Sequence, residues 1–376
     1  MTTVPITLEA FLVPFAAHFR ADGWRIDALA NGARRHVALE GSFDGRFDVS
    51  WSRNPFDPRN VLGTPAKVRS VVAAGGYDIV HVHTPIAAFV TRYALRSLPE
   101  RNRPAIIYTA HGFHFYEGQA ALPHTFFRTM ETIAAPWTDY LITVNAEDFR
   151  EASALPGLDP ARVRLIPGIG VDTERFSPDA VSTQDARRVR RDLGVPEGAF
   201  VLTIVAELAP VKRHALLLEA LARVDDGRVV LVIVGEGRLD AQLHTRARVL
   251  GIEHRIRWAG YRRDVPAVLA ATDALVLTSE REGLNRSMLE SMAMGRPVIG
   301  TDTRGIADAV DATVGWIVPR DDALALAAAI KAAASDPAEA ARRGSAARER
   351  AVARFALPHI ISQYEELYRE ALASRV

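Results

Sequence analysis

The sequence contains no cysteine, which excludes disulfides, thiolate nucleophiles and thiolate-bound metals and fits a reducing compartment. Nor is there an excess of one charge: 46 Lys and Arg stand against 45 Asp and Glu, a formal net charge of +1. No field of one sign favours nucleic acid, so no nucleic-acid partner is expected. No run approaches the roughly 18 apolar residues that span a bilayer, and the N-terminal MTTVPITLEAFLVPF has no basic region ahead of its apolar stretch. Neither a membrane span nor a signal peptide is expected. The cytoplasm is the default location, with room for a peripheral contact at the inner face of the cell membrane. A D-x-D metal motif is also lacking.

What is present is a 376-residue chain with 48% apolar and 24% charged residues, long enough for two separately cored domains. In the first half, strands are expected at Arg25 to Ala30, Tyr77 to His83, Ala105 to Thr109 and Tyr140 to Val144. Helices are expected at Leu8 to Asp22, Pro65 to Ala74 and Pro85 to Ser97. That rhythm is beta-alpha-beta on a parallel sheet. Such a domain opens on a buried strand, yet only Met1 to Val4 precede the turn-like PIT and the first helix, so the first strand is expected to be shortened or begun out of place. The Gly- and Pro-rich IPGIGVDTERFSPDA, 166 to 180, reads as the hinge. The pattern then restarts with AFVLTIVA at 199, RVVLVIVG at 228, RIRWAG at 255, DALVLTS at 273 and RPVIGTD at 296. The expected domains are 1–173, 174–356 and a C-terminal amphipathic helix, 357–376, packing back on the first domain.

The stretch SEREGLNRSMLESMAMGRPVIGTD, Ser279 to Asp302, places a strand end, a loop and a helix start together. Open parallel sheets bind ligands beyond the carboxyl ends of their strands, and a helix N-terminus offers unpaired N–H groups to phosphate. Gly283, Leu284 and Asn285 would present those groups. Glu282 and Glu290 lie eight residues apart and so face different parts of one ligand rather than forming an acid–base pair. Ionised carboxylates suit sugar and ribose hydroxyls, each oxygen accepting strong charge-assisted bonds.

This segment resembles the E-x7-E signature of the retaining group 1 (family 4) glycosyltransferases. DIVHVHTPIAAFVTRYALR, IIYTAHGFHFYEG, LIPGIGVDTERF, AELAPVKRH and VGEGRLDAQL occur ahead of it in the order shown by bacterial capsule and exopolysaccharide-assembly members. The resemblance implies a GT-B fold, α/β, with two Rossmann-like parallel-sheet domains facing a cleft. It implies retaining, metal-independent transfer from a nucleotide-sugar, UDP by family frequency with GDP and ADP open, to a saccharide or polyprenol-linked acceptor. It assigns Glu282 to the donor sugar hydroxyls, Glu290 to the ribose, Gly283, Leu284 and Asn285 to the diphosphate, Lys212 to the leaving group and His111 to a place beside the donor sugar. A cation at the departing oxygens stabilises charge that grows in the transition state.

Where many family members carry an arginine upstream of the lysine, this chain has Glu207; Arg213 and Arg286 are candidates for the second charge. His114 is read as structural. His81 and His83 alternate onto one strand face, but a metal is rejected because no further cluster is expected beside them. GIGVDT at 168 and GEGRLD at 235 begin G-x-G but carry Thr173 and Asp240 where a third glycine belongs, so neither is a dinucleotide fingerprint. GEGRLD follows a strand, so Gly235 and Gly237 could let the backbone approach the nucleotide, with Tyr261, Arg262 and Arg263 meeting the base. Charge runs at Arg20 to Arg25, Arg34 to His36 and Arg187 to Arg191 are solvated faces or contacts to anionic lipid. Two rival functions stay open on sequence: a nucleotide-sugar epimerase, and a non-catalytic nucleotide-sugar-binding partner of a polysaccharide-assembly complex.

Overall fold

The computed structural model describes residues 1–99, 102–116 and 119–375; Glu117 and Gly118, which close the HGFHFYEG segment, lie outside them. The chain divides into two compact units, Met1–Ile169 with Ile360–Val376, and Gly170–His359. The passage between units falls at Ile169, four residues before the boundary read from sequence, between two glycines of positive φ, Gly168 and Gly170. The returning passage pairs with it: Val171 donates to the Phe355 carbonyl at 2.8 Å and Leu357 to the Val171 carbonyl at 2.9 Å.

In the first unit, β3 (Ile79–Val82), β4 (Ala105–Ala110), β5 (Tyr140–Thr143) and β6 (Val163–Leu165) form a four-stranded sheet in chain order. Separate from it, β1 (Asp27–Ala30) pairs with β2 (Gly45–Asp48). Every ladder is parallel. β2 and β6 escaped the sequence reading because GRFD and VRL are short and mixed in polarity, leaving no periodic signal. The PIT segment, read as a turn, is instead the first helical turn, Pro5–Thr7, followed by a π-helical Leu8–Leu12 and helix Val13–Ala21. Proline opens a helix readily because its missing N–H is one the first turn cannot use.

All residues of β4 are buried, as expected for a strand covered on both faces. Arg92 is buried beneath it with its guanidinium 2.8 Å from Glu131 and 4.6 Å from the Tyr108 ring centroid. The C-terminal helix, Leu357–Ala373, buries Ile360, Ile361, Tyr364 and Leu367. It packs within the first unit, where Phe15 meets Tyr364 edge-on at 5.1 Å and Phe19 lies 5.1 Å from Tyr368.

The second unit holds one six-stranded parallel sheet of β7 (Phe200–Val205), β8 (Val229–Val234), β9 (Ile256–Gly260), β10 (Ala274–Leu277), β11 (Val298–Thr301) and β12 (Gly315–Val318), in the order β12-β11-β10-β7-β8-β9. β8, VVLVIV, is buried throughout. One face packs Leu217, Leu221 and Ile330 against Leu231 and Ile233; the other packs Met288, Met292 and Phe355 against Leu275 and Leu277. The order reverses at β7, whose neighbours are β10 and β8. Side chains at the C-terminal ends of these strands therefore meet at a topological switch point, where ligands of open parallel sheets bind.

Candidate active site

In the second unit, the site begins where β10 ends. Helix Arg286–Ala293 starts on Asn285, whose Oδ1 accepts from the Met288 amide at 2.9 Å. The same oxygen accepts from Ser287 Oγ at 2.8 Å, and that hydroxyl also lies 3.0 Å from the Val205 carbonyl, tying the helix start to the end of β7. Asn285 Nδ2 then donates to Glu282 Oε1 at 3.0 Å. Ser279 Oγ donates to that oxygen at 2.6 Å, and Lys212 Nζ at 2.7 Å. Three donors thus converge on Oε1 of Glu282, and one asparagine both caps the helix and aims the carboxylate.

Lys212 closes a short 3-10 turn, Pro210–Lys212, after β7. Its carbonyl accepts from Thr278 Oγ1 at 2.8 Å, and Glu280 N–H reaches the Val211 carbonyl at 2.8 Å, which fixes the β7 and β10 ends together. Of the candidates for a second basic charge, Arg213 sits at φ 54° and pairs with Asp321. Arg286 lies with Nε 2.8 Å from Glu290 Oε1, one turn along the helix. Glu290 is buried, and burial pushes its carboxyl above the ordinary carboxylate range while the Arg286 charge pulls against it.

The loop carrying Gly283 is shaped from outside by a residue the sequence reading did not single out. A Cβ on Gly305, which has φ 79°, would stand 1.9 Å from the Gly283 carbonyl oxygen, so only glycine lets β11's following loop press against the donor loop. Thr301 and Thr303 hold the Ser279 carbonyl at 3.1 and 2.9 Å. Gly305 belongs to the TDTRG run that follows the E-x7-E segment, but its role depends on a contact between loops 22 residues apart in sequence.

Gly235 and Gly237 do allow close backbone approach, but to the chain itself. A Cβ on Gly235 would lie 2.0 Å from the Ala206 oxygen, and one on Gly237 2.6 Å from the Leu208 oxygen. The β8 loop is thereby laid on the β7 loop and, through the Gly235 amide and the Gly260 carbonyl at 2.8 Å, joined to the β9 loop. There Tyr261 is exposed with its amide 3.4 Å from Glu236 Oε1, Arg262 is paired with Asp264, and Arg263 is exposed.

In the first unit, His111 follows β4 directly. Its Nε2 lies 3.2 Å from Nδ1 of the buried His83, and the two rings stack at 5.5 Å. The His81 ring centroid lies 4.0 Å from that of His83 with the planes tilted by 33°, its Nδ1 2.5 Å from Tyr368 Oη and its Nε2 2.8 Å from Thr109 Oγ1. The parallel register of β3 and β4 brings His111 beside His81 and His83, a neighbour that alternation along one strand could not show. Their ring nitrogens face one another, a threonine and a tyrosine. Burial pushes His111 down to about 4 and holds His81 and His83 well below the histidine range. All three are neutral at pH 7, so His111 can orient a hydroxyl but brings no positive charge. His114 packs its ring against Phe127 at 5.1 Å.

Much of the charge in the basic runs is already engaged within the chain: Arg20 with Asp44, Arg25 with Asp27, Arg190 with Asp273. Among the described residues, one cluster has metal-ligand spacing, His18, Asp22 and Glu365, in the first unit.

Residues 8–175 match the family Glycosyltransferase Family 4, and residues 185–350 match Glycosyl transferases group 1. The chain is 33% identical over 371 residues to EpsD of Bacillus subtilis (strain 168), covering 97% of this chain and 94% of EpsD. The chain belongs to the group 1, family 4 glycosyltransferases. Another relative of this glycosyltransferase is the UDP-Gal:alpha-D-GlcNAc-diphosphoundecaprenol alpha-1,3-galactosyltransferase of Escherichia coli, 31% identical over 61% of this chain and 59% of its own. Among solved structures, Anabaena HepE in complex with UDP is similar with a TM-score of 0.80, 22% identity and 98% of each chain covered. The glycosyltransferase thus has the GT-B fold of two Rossmann-like domains, with Lys212, Glu282, Asn285 and Glu290 at the carboxyl edge of the second sheet. No helix among the described residues is long and apolar enough to cross a membrane.

Proposed function

We propose that this glycosyltransferase takes its sugar from a UDP-sugar and passes it, with retained anomeric configuration and without a metal ion, to a saccharide or polyprenol-linked saccharide. The setting is cell-surface polysaccharide synthesis at the cytoplasmic face of the membrane. The observation that carries this reading is the convergence of Lys212, Ser279 and Asn285 on one oxygen of Glu282 at a capped helix N-terminus. That is an anion site and a hydroxyl acceptor in one place. The UDP in HepE and the UDP-galactose donor and diphosphoundecaprenol acceptor of the Escherichia coli relative support the classes chosen.

On this reading, the diphosphate lies at the helix N-terminus beside Gly283, Leu284 and Asn285. Glu290 accepts from the ribose hydroxyls, and Glu282 from the sugar. As the anomeric carbon–oxygen bond breaks, its electron pair goes to the diphosphate oxygen. Lys212 and the helix dipole stabilise the charge that develops there. The acceptor hydroxyl attacks on the same face, and its proton passes to that departing oxygen, so no enzyme carboxylate need become a nucleophile. Neutral His111, oriented through His83, holds a hydroxyl of the sugar during the step.

The deciding assay incubates the full chain in EDTA with UDP-, GDP- and ADP-sugars, with and without an undecaprenyl-diphosphate-linked saccharide. Product mass and anomeric coupling are then read by mass spectrometry and NMR. An α-linked product from an α-linked UDP-sugar is expected. Conversion of the nucleotide-sugar without acceptor would make it an epimerase. Turnover only on adding a divalent cation would overturn metal independence.

A further inference from the structure

Helix Ala146–Ser153, which follows β5, opens on Asn145, whose Oδ1 accepts from the Asp148 amide at 2.8 Å. That cap uses only the main chain of residue 148, so the helix start makes no demand on the side chain there. The side chain present is a fully buried carboxylate, and a buried carboxylate is costly unless it is hydrogen-bonded. Its Oδ2 accepts from Asn145 Nδ2 at 2.8 Å and from the Phe113 amide at 3.0 Å. The first bond stays within the helix start. The second crosses 35 residues of sequence to the loop that leaves β4 and carries His111.

Between His111 and Phe113 stands Gly112 at φ 115°, a conformation that favours glycine. The chain turns sharply there, so the place of the His111 ring depends on what holds the main chain on either side. On the strand side, Ala110 is in register with Thr143 of β5. On the loop side, Phe113 is buried and stacks on Phe115 at 4.6 Å. Apolar packing is non-directional, whereas the bond to Asp148 fixes the direction of the Phe113 N–H. The His111 ring rests against two others, His83 and Phe11, each with its centroid 5.5 Å away.

We propose that Asp148 is a positioning residue of this glycosyltransferase: its carboxylate, aimed by Asn145, fixes the Phe113 amide and thereby the place of the His111 ring. This rests on the reading of His111 as the group that holds a hydroxyl of the donor sugar. The device repeats the one at Glu282, where Asn285 caps a helix through its oxygen and donates to a carboxylate through its nitrogen. There the carboxylate itself is proposed to meet the donor; Asp148 stays buried and acts through the loop. A shift of about 1 Å at a positioned group costs about 100-fold in rate, so a bond two residues from the ring bears on turnover.

The test uses two variants of the full chain. Asp148→Ser has a side chain too short to reach the Phe113 amide, and Asp148→Asn keeps the reach but gives up the charge that strengthens the bond. NMR on protein labelled at histidine Cε1, with the His111 signal assigned through His111→Gln, reads the ring pKa. In the parent it is expected at about 4, lowered by burial. In Asp148→Ser it should rise above about 5 as the loosened ring meets solvent, with a smaller rise in Asp148→Asn. Removing a negative charge would itself lower a histidine pKa, so a rise reports position rather than charge.

For transfer, kcat is expected to fall about 10- to 100-fold in Asp148→Ser and less in Asp148→Asn. UDP affinity by calorimetry should stay within about twofold, because the proposed nucleotide contacts lie in the second unit. On a His111→Gln background, either change should cost no more than about twofold further, as for two residues acting as one. Where Asp148→Ser does not fold, Asp148→Asn carries the test. A ring pKa unmoved in both variants overturns the inference, and so does a kcat loss that persists in full on the His111→Gln background. Undiminished kcat in His111→Gln alone would instead overturn the donor-sugar reading of His111.

Discussion

Lys212 Nζ lies 2.7 Å from Oε1 of Glu282, so the cation and carboxylate proposed for opposite ends of the donor's reacting bond are partners of each other. The lysine is held ready but not free, and an arriving diphosphate must compete with a carboxylate for it. Glu282→Gln should separate these roles. UDP affinity is expected to hold or tighten, because Lys212 no longer shares its charge, whereas turnover falls about 100-fold with the loss of a charged acceptor for the sugar hydroxyls. Calorimetry with UDP beside steady-state kinetics reads both.

Lys212→Ala is expected to lower kcat by about 100- to 1,000-fold, as for loss of one preorganised group at a developing negative charge. Folding should survive, because the side chain is partly exposed. Thermal unfolding within about 2 °C of the parent, together with the kinetic loss, confirms the assignment. Undiminished kcat removes Lys212 from the chemistry.

Asn285 couples cap and carboxylate, so Asn285→Ala removes the bond to the Met288 amide and a donor to Glu282 at once. A stability loss of about 1–2 kcal/mol is expected from the cap alone, seen as a fall in denaturation midpoint. UDP affinity should fall with it. Asn285→Asp is the informative companion: it keeps the cap acceptor but sets a second carboxylate against Glu282, restoring stability more than binding.

Gly305→Ala must displace the Gly283 carbonyl and adopt a φ of 79°. We expect loss of UDP affinity by at least about tenfold and a fall in Tm. At Gly251, φ is 69° but nothing lies within 4 Å of where a methyl would stand. Gly251→Ala therefore isolates the backbone cost, about 1 kcal/mol, and should leave UDP binding unchanged.

His81, His83 and His111 are buried and neutral, their folded pKa values lying below the unfolded 6.5. Below 6.5 the unfolded chain takes up protons that the native fold does not. Stability is therefore full above about pH 6.5 and is lost as pH falls toward 4; for His111, lowered to about 4, the full loss is roughly 3 kcal/mol. Glu290, raised by burial, acts in the opposite sense, its penalty easing as pH falls. Denaturation midpoints of the parent and His111→Gln between pH 4.5 and 7.5 should converge on the acid side. Parallel curves would mean the His111 ring titrates as it does in the unfolded chain.

The sequence by itself determined the alternation of strands and helices, because apolar runs such as VVLVIV and AIIYTA are long and uniform enough to be strands buried on both faces. It also marked Lys212, Glu282 and Glu290, whose identities and ordered spacing carry the family likeness. It could not supply the short mixed strands Gly45–Asp48 and Val163–Leu165, which become strands through the neighbours they pair with. Tertiary structure alone decided that Glu282 takes three donors on one oxygen, that Gly305 presses on Gly283, and that His111 leans on His83. Each joins residues from different strand ends, and only the parallel register brings those ends together.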